Sequence, residues 1–314
     1  MLANRKFIIY TEALLAVVIW GGNFIATKVT LREISPATIV WLRFGIGILV
    51  LGVTVAARKQ FAFPARRELA YFALLGFLGV SFHQWLQATG LMTAAATNTA
   101  WIVTTIPVFT ALLGWLILKE KLGLMRVAGM LLAATGVILI VSKGQAPLIF
   151  GVQNGGTQGG LGEFLILISA VNWAVFSVLS RRGLEAHPAT RMMFFVMVFG
   201  WLFANVWLFG FGPGLSEIPH LSTEGWGGVL VLGLLGSGVA YIAWYDALQA
   251  LPASQLSAFI NIEPLVTTVM AAFLLGESIT PLLVLGAGMI LFGVYLVNRP
   301  DKPALTVLKL ETPE

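Results

Sequence analysis

The sequence predicts an all-α membrane protein with ten transmembrane helices, arranged as two inverted five-helix repeats around a central cavity. Three observations support this fold class: an apolar composition, evenly spaced apolar segments, and a similarity between the two halves of the chain. Of the 314 residues, 58% are apolar and only 11% are charged, whereas about a quarter of the residues in a soluble domain are charged. The composition therefore excludes a water-soluble fold.

Ten apolar segments are long enough to cross the roughly 30 Å hydrocarbon core of a bilayer as helices. The predicted spans are 9–30, 36–57, 69–89, 93–118, 123–141, 161–181, 189–210, 226–249, 254–275 and 281–298. The first span follows Arg5 and Lys6, as in a signal peptide. It is too long for the apolar core of one, however, and no small-residue cleavage site precedes Arg32. We therefore interpret it as a retained span.

The distribution of basic residues predicts that both termini face the cytoplasm. Under that orientation the inward segments hold Arg5, Lys6, Arg58, Lys59, Arg66, Arg67, Lys119, Lys121, Arg126, Arg181, Arg182, Arg191, Arg299, Lys302 and Lys309. The outward segments hold Lys28, Arg32 and Lys143. We attribute the net charge of +5 to orientation in the membrane and expect no nucleic-acid partner. The expected location is the bacterial cytoplasmic (inner) membrane.

An internal repeat divides the chain. Shifting the sequence by 157 residues aligns 75–140 with 232–297 without a gap. The matches include Gly76/Gly233, Gly79/Gly236, Ala96/Ala253, Pro107/Pro264, Thr110/Thr267, Glu120/Glu277, Gly129/Gly286 and Gly136/Gly293, and upstream, at an offset of 152, Pro36-Ala37-Thr38 with Pro188-Ala189-Thr190. The predicted domains are a first repeat (1–142), an extracytoplasmic linker (143–160), a second repeat (161–298) and a cytoplasmic tail (299–314). Because five spans are an odd number, the second repeat enters the membrane from the opposite side, a symmetry typical of secondary carriers.

Polar groups at membrane depth are costly and usually face the protein interior or a wet cavity, and deep aromatic rings suit a cavity for flat or apolar solutes. On these grounds the predicted substrate-binding residues are Trp20, Asn23, His83, Gln87, Trp101, Trp173, Tyr241, Tyr245 and Asn261. A structural hydrogen bond between helices is the competing interpretation of His83. The aromatic residues could equally face lipid or neighbouring helices.

Three further residues are predicted either to kink the helices around the site or to couple transport to protons. Pro107 and Pro264 lie near the middle of their spans at equivalent positions, where each removes a backbone hydrogen bond and is expected to kink its helix. Glu263 precedes Pro264 and either caps freed backbone amides or accepts a coupling proton. The chain has no cysteine, which excludes disulfides and thiolate metal sites. We expect neither a metal nor a cofactor.

Several strings resemble the EamA-type ten-helix exporters of the drug/metabolite transporter superfamily, over about residues 10–298. They are Trp20-Gly21-Gly22-Asn23-Phe24 with Lys28, Leu42-Arg43-Phe44, and the segments Pro107 to Glu120 and Pro264 to Glu277. The resemblance implies export of small metabolites, often amino acids, through a cavity shared by the two halves. Within the family, the aromatic and amide content is most similar to YddG-type exporters of aromatic amino acids. The first span lacks the midspan glutamate of small multidrug relatives, which argues against proton-driven export of cations.

The leading hypothesis is an alternating-access carrier, active as a monomer, with a zwitterionic amino acid as its solute. A carrier for another solute, such as a nucleoside, sugar or amphiphilic cation, remains an alternative. An intramembrane enzyme is disfavoured because such catalysis needs converging acids, bases or nucleophiles, which the spans lack. The sequence leaves open whether transport is coupled to protons.

Overall fold

The computed structural model describes residues 2–119, 123–142, 160–251 and 259–299, and all regular secondary structure within these residues is helical. The helices are α1 (Leu2–Thr30), α2 (Pro36–Ala57), α3 (Arg66–Leu91), α4 (Ala96–Val103 and Ile106–Leu118), α5 (Leu124–Ser142), α6 (Leu161–Ala186), α7 (Ala189–Phe211), α8 (Thr223–Ala250), α9 (Glu263–Leu274) and α10 (Pro281–Asn298). The predicted linker and tail lie outside the described residues, apart from Gly160 and Arg299.

Nine helices in the described part of the chain are long and apolar enough to cross a membrane. The exception is α9, which has 12 residues there; its predicted span begins at 254, and residues 252–258 are outside the described ranges. Large apolar side chains such as Leu131, Phe273 and Phe292 are exposed on the surface of the bundle. A surface of this kind is compatible with lipid as the surrounding solvent.

Two of the helices begin with a capping residue followed by proline. Ser35 precedes Pro36 at the start of α2, and its hydroxyl accepts a hydrogen bond from the Thr38 amide. Thr280 precedes Pro281 at the start of α10 and caps the Leu283 amide in the same way. The hydroxyl satisfies an amide that the first turn leaves unbonded, and proline loses nothing there because its position has no helical acceptor.

Both predicted proline kinks coincide with a helix interruption. In α4 the helix stops at Val103, turns through Thr104 and Thr105, and resumes at Ile106 with Pro107 in its first turn. In α9 a turn at 261–262 comes directly before Glu263, and Pro264 again lies in the first turn of the helix that follows. Proline is tolerated there because the first turn does not use its missing N–H. The two interruptions lie at equivalent positions of the two repeats, since 104–105 correspond to 261–262 at an offset of 157.

Helices α5 and α10 cross at two pairs of glycines. A Cβ atom added to Gly129 would lie 2.6 Å from the carbonyl oxygen of Gly293, and one added to Gly136 would lie 2.6 Å from that of Gly286. Such distances mean that the two backbones touch, as small residues permit in membrane helices. At an offset of 157, Gly129 corresponds to Gly286 and Gly136 to Gly293. The first contact pair is therefore the repeat-equivalent of the second.

A second set of equivalent contacts lies deeper in the bundle. Gly79 of α3 packs against the Phe176 ring of α6, and Gly236 of α8 packs against the Asn23 amide of α1; in each case an added Cβ would lie 2.5 Å from the neighbour. The two glycines are matched in the repeat at an offset of 157. The contacts of α3 with α6 therefore resemble those of α8 with α1.

Candidate functional site

The candidate site lies where α3 and α8 change their helical pitch. Each contains a π-helical segment, Phe77–Phe82 in α3 and Val231–Val239 in α8, and the two overlap when the chain is shifted by 157 residues. Short π-helical segments within α-helices are frequent at functional sites because they free or redirect backbone groups. One such group is the Leu78 carbonyl, which accepts a hydrogen bond of 2.7 Å from the Asn172 side chain.

The α8 side of the site is an aromatic cluster. The Trp20 ring packs edge-on against Tyr241, with 5.7 Å between centroids, and its indole N–H donates to the Gly236 carbonyl. The rings of Tyr241 and Tyr245 lie 6.1 Å apart. Both tyrosines are buried, yet neither hydroxyl bonds to another described residue. The structure thus brings together three of the predicted aromatic residues and leaves two hydroxyl groups available.

The α3 side pairs His83 with Trp173. Their ring centroids are 4.6 Å apart, and His83 Nδ1 lies 3.0 Å from the Ser169 carbonyl oxygen. Because a carbonyl can only accept, Nδ1 carries the proton and the neutral ring keeps Nε2 as an acceptor. The predicted structural hydrogen bond of His83 is therefore present. Its second nitrogen has no hydrogen-bond partner among the described residues.

Asn23 brings an unsatisfied acceptor to the same region. Its side chain is buried against Gly236, and no described residue donates to its Oδ1. A buried polar atom without a partner is uncommon, because its desolvation is not compensated. Asn23 therefore has acceptor capacity that no described residue fills.

Sequence reasoning missed Arg43 as a site residue. Its side chain is only 5% exposed, and it donates to the Ser237 hydroxyl from Nε at 3.1 Å and to Gln84 Oε1 from a terminal nitrogen at 3.0 Å. The guanidinium lies in the neighbourhood of the Tyr241 hydroxyl and the His83 ring. Its position within the second span could have identified it as a candidate, since ionisable residues within membrane spans are rare and commonly functional.

The remaining predicted residues lie apart from this cluster. Trp101 is buried in a different group, with Ala133 and Ile290, and its indole N–H donates to the Thr268 hydroxyl of α9 at 3.1 Å. Trp101 was predicted to belong to the same substrate site as Trp20 and the tyrosines, but it packs in a different cluster. Gln87 is half-buried and forms no side-chain hydrogen bond within the described ranges.

Asn261 and Glu263 flank the interruption of α9. Asn261 is half-buried in the turn, and Glu263 is the first residue of the helix. The Glu263 carboxylate has no hydrogen-bond or ion-pair partner in the part of the chain that the structure describes. Its backbone carbonyl meets Gly21 of α1, where an added Cβ would lie 2.9 Å away. Glu263 therefore borders the α1–α9 contact.

At one end of the bundle, termed here the Lys28 end, two carboxylates accept hydrogen bonds from the first residues of α4. Glu277 accepts hydrogen bonds from the Ala96 and Thr97 amides at 2.8 and 3.0 Å, and so caps the start of α4. Glu163 accepts from the Asn98 side chain at 3.2 Å. A cavity of about 360 Å³ opens beside these contacts; it is lined by Lys28, Leu31, Arg32, Leu91, Met92, Leu275 and Glu277.

At the opposite end, termed the Arg58 end, an ion pair joins α2 to α8. Two nitrogens of Arg58 lie 2.6 Å from the two oxygens of Asp246, and one also donates to the Thr190 hydroxyl. Hydrogen bonding to the Asp246 carboxylate raises the pKa of Arg58 above its usual value. Glu68 and His187 lie 3.2 Å apart nearby. Side-chain contacts thus tie the helices together at both ends of the bundle.

A pH-dependent contact at the Lys28 end gives a first prediction. Glu33 accepts hydrogen bonds from the Ser222 amide and hydroxyl at 2.7 and 2.6 Å, which hold its pKa below the usual range. A depressed carboxyl pKa stabilises the fold above the unfolded-state pKa of about 4.3, and this stabilisation is lost as the pH falls through the lower folded-state pKa. We expect Glu33→Gln to lower the melting temperature more at pH 7 than near pH 3, where part of this stabilisation is already lost. An equal difference at both pH values, in detergent unfolding scans, would contradict this.

The apolar exposed surface and the helices long enough to span a bilayer define an integral, multi-pass membrane protein. Residues 7–142 and 160–299 both match the model of the EamA-like transporter family. The chain therefore belongs to the EamA-like transporter family, within the drug/metabolite transporter superfamily. This membership points to a transporter rather than an enzyme.

Individual proteins are similar over nearly the whole chain. An "Uncharacterized transporter" of Archaeoglobus fulgidus is 27% identical, covering 90% of this chain and 95% of its own. The "Uncharacterized transporter YyaM" of Bacillus subtilis is 28% identical, with coverages of 88% and 89%. A "Probable terminal-alkyne amino-acid exporter" of Streptantibioticus cattleyicolor is 26% identical over 91% of each chain. A crystal structure with 20% identity superposes with a TM-score of 0.65 over 92% of this chain and 95% of that chain, which indicates a shared fold.

Proposed function

We propose that the protein is a secondary carrier that exports an aromatic or other apolar amino acid by alternating access. The observation that carries this proposal is the aromatic cluster of the half-buried Trp20 with the buried Tyr241 and Tyr245. It lies beside polar groups whose hydrogen-bonding capacity is not filled. Aromatic rings supply contact area for an apolar side chain, and a few unfilled polar groups fix its orientation. The name of the Streptantibioticus relative, an amino-acid exporter, agrees with this solute class.

The proposal includes a topology of ten spans in two inverted repeats, with both termini in the cytoplasm. The equivalent glycine contacts of α5 with α10, and of α3 and α8 with their neighbours, support it. The two proline-linked interruptions of α4 and α9 also agree with it, since broken helices at repeat interfaces frequently border the solute site of a carrier. In the proposed cycle the site opens in turn at the Lys28 end and at the Arg58 end. One chain supplies both repeats, so a monomer is sufficient.

Transport in reconstituted liposomes tests this function. We expect labelled aromatic amino acids to be transported, and Trp20→Ala to reduce the rate about tenfold, which corresponds to a loss of about 1.4 kcal/mol of aromatic contact. Trp115→Ala is the matched control, because Trp115 is 46% exposed on the bundle surface and its removal should leave transport unchanged. Equal transport rates for Trp20→Ala and Trp115→Ala would show that the aromatic cluster does not contribute to solute binding.

Competition in the same liposomes separates the amino-acid proposal from a nucleoside, a sugar or an amphiphilic cation as the solute. The energy source is a separate question that centres on Glu263, whose carboxylate has no partner among the described residues. Transport measured with and without a pH gradient, in the wild type and in Glu263→Gln, distinguishes proton coupling from facilitated diffusion. Coupling through Glu263 requires that the gradient accelerate the wild type but not the variant.

A further inference from the structure

The charge of Arg43 is not neutralised by the described protein. Its two side-chain hydrogen bonds, to Ser237 and Gln84, use two of the five N–H donors of a guanidinium. Both acceptors are neutral, and no carboxylate of the described residues forms an ion pair with it. The Phe44 ring, 5.0 Å from the guanidinium carbon, compensates only part of the charge. A buried cation in this state is costly to the fold unless an anion joins it.

The fold does not require a charge at this position. At the repeat offset of 152, the residue equivalent to Arg43 is Phe195, which is buried in the second repeat within an aromatic cluster. The same helix position is thus compatible with an apolar ring. Arg43 therefore contributes something beyond helix packing.

An unfilled acceptor of α1 packs against the residue of α8 that precedes Ser237. Arg43 contacts Ser237, whereas Asn23, whose Oδ1 lacks a donor, packs on Gly236. The Tyr241 ring packs against Trp20, and its hydroxyl lies in the neighbourhood of the Arg43 guanidinium. An anion-binding donor, an unfilled acceptor and an aromatic surface are therefore presented along one stretch of α8.

We propose that Arg43 is the residue that binds the carboxylate of the transported solute, with Asn23 Oδ1 as the acceptor for an adjacent ammonium group. The inference rests on the proposed carrier function and narrows its solute to molecules with a free carboxylate. A planar guanidinium with unused N–H groups matches a carboxylate in geometry as well as in charge. Neutral sugars and nucleosides, and amphiphilic cations, lack the anionic group that Arg43 requires.

The test compares intact and truncated solutes. The probes are labelled L-phenylalanine, L-tryptophan and L-leucine in liposomes; the competitors are the corresponding amines without the carboxylate and the corresponding acids without the amino group. In the wild type we expect the acids to compete and the amines to fail. In Arg43→Gln we expect the amino-acid KM to rise about 30-fold or more, because truncating a buried charge pair has effects of that size, and the preference for acids over amines to disappear. Arg43→Lys should restore part of that preference.

A structural role for Arg43 predicts something different. It would lower the amount of folded protein in both variants without changing the preference for acids over amines. If the amines compete as well as the acids in the wild type, or if Arg43→Gln keeps the wild-type preference, the assignment of Arg43 is overturned while the carrier function stands. If the wild type transports no amino acid but does transport a nucleoside, a sugar or a cation, both proposals fail. Where Arg43→Gln does not fold, Arg43→Lys provides the variant comparison: an unchanged preference for acids and an unchanged KM in that variant overturn the assignment, as does equal competition by acids and amines in the wild type.

Discussion

Replacing Gly136 with leucine is expected to prevent the correct packing of α5 against α10. A Cβ atom at Gly136 would lie 2.6 Å from the Gly286 carbonyl oxygen and 3.1 Å from the Ile290 amide nitrogen. Both are backbone atoms, which cannot rotate away as a side chain could. Overpacking of a well-filled interface costs about 1–3 kcal/mol or more, so we expect a lower melting temperature and less monodisperse protein after detergent extraction.

The matched control is Gly288→Leu. Gly288 lies on α10 two residues from Gly286, but an added Cβ there would meet no atom within 4 Å. The change in residue type and helix propensity is therefore the same, and only the contact differs. Equal melting temperatures for the two variants would show that the close approach of α5 and α10 contributes nothing to stability.

Replacing Glu277 with glutamine is expected to loosen the Lys28 end. Glu277 gives one oxygen to each of the Ala96 and Thr97 amides, and glutamine keeps a single acceptor and no charge. Losing a charge-assisted hydrogen bond costs about 1.5–3 kcal/mol. We therefore expect this end to open about tenfold more often or more.

A cysteine at the cavity measures this opening. The chain has no cysteine, so Leu91→Cys, which replaces a buried residue lining the cavity at the Lys28 end, gives a single reporter. Labelling by a membrane-impermeant maleimide should be about tenfold faster when Glu277→Gln is added. Glu224→Gln removes the same charge at this end from an exposed pair with Arg32 and should leave labelling unchanged, because exposed pairs contribute little. Unchanged labelling in Glu277→Gln would show that the cap does not restrain this end.

Hydropathy predicted most of the helices because a span is defined by its length and apolar character alone. The glycines matched in the repeat also identified a helix contact, since α5 and α10 touch at Gly129, Gly136, Gly286 and Gly293. The interruption at Thr104 and Thr105 was less visible. Pro107 indicated a kink, but the residues that leave the helix come before the proline, where no side chain in the sequence marks them.

The site was harder to predict because depth along a span does not specify the direction in which a side chain points. Trp101 and Trp20 both lie deep in their spans, yet Trp101 faces Thr268 and Trp20 faces Tyr241. The π-helical segments of α3 and α8 add to this difficulty, because they rotate the residues that follow relative to a regular helix. Arg43 was overlooked for another reason: an average over the span conceals one charge among many apolar residues.

The paired glycines of α5 and α10 have a mechanical consequence for the proposed cycle. If the two repeats exchange conformations, the contact between Gly129 and Gly293 takes the geometry of the contact between Gly286 and Gly136, and the reverse. The set of contacts after the exchange is therefore the same as before. The crossing of these two helices would then keep its contacts throughout the cycle, and the conformational change would be concentrated in the other helices. A cross-link between α5 and α10 near the glycines should accordingly be compatible with a full turnover.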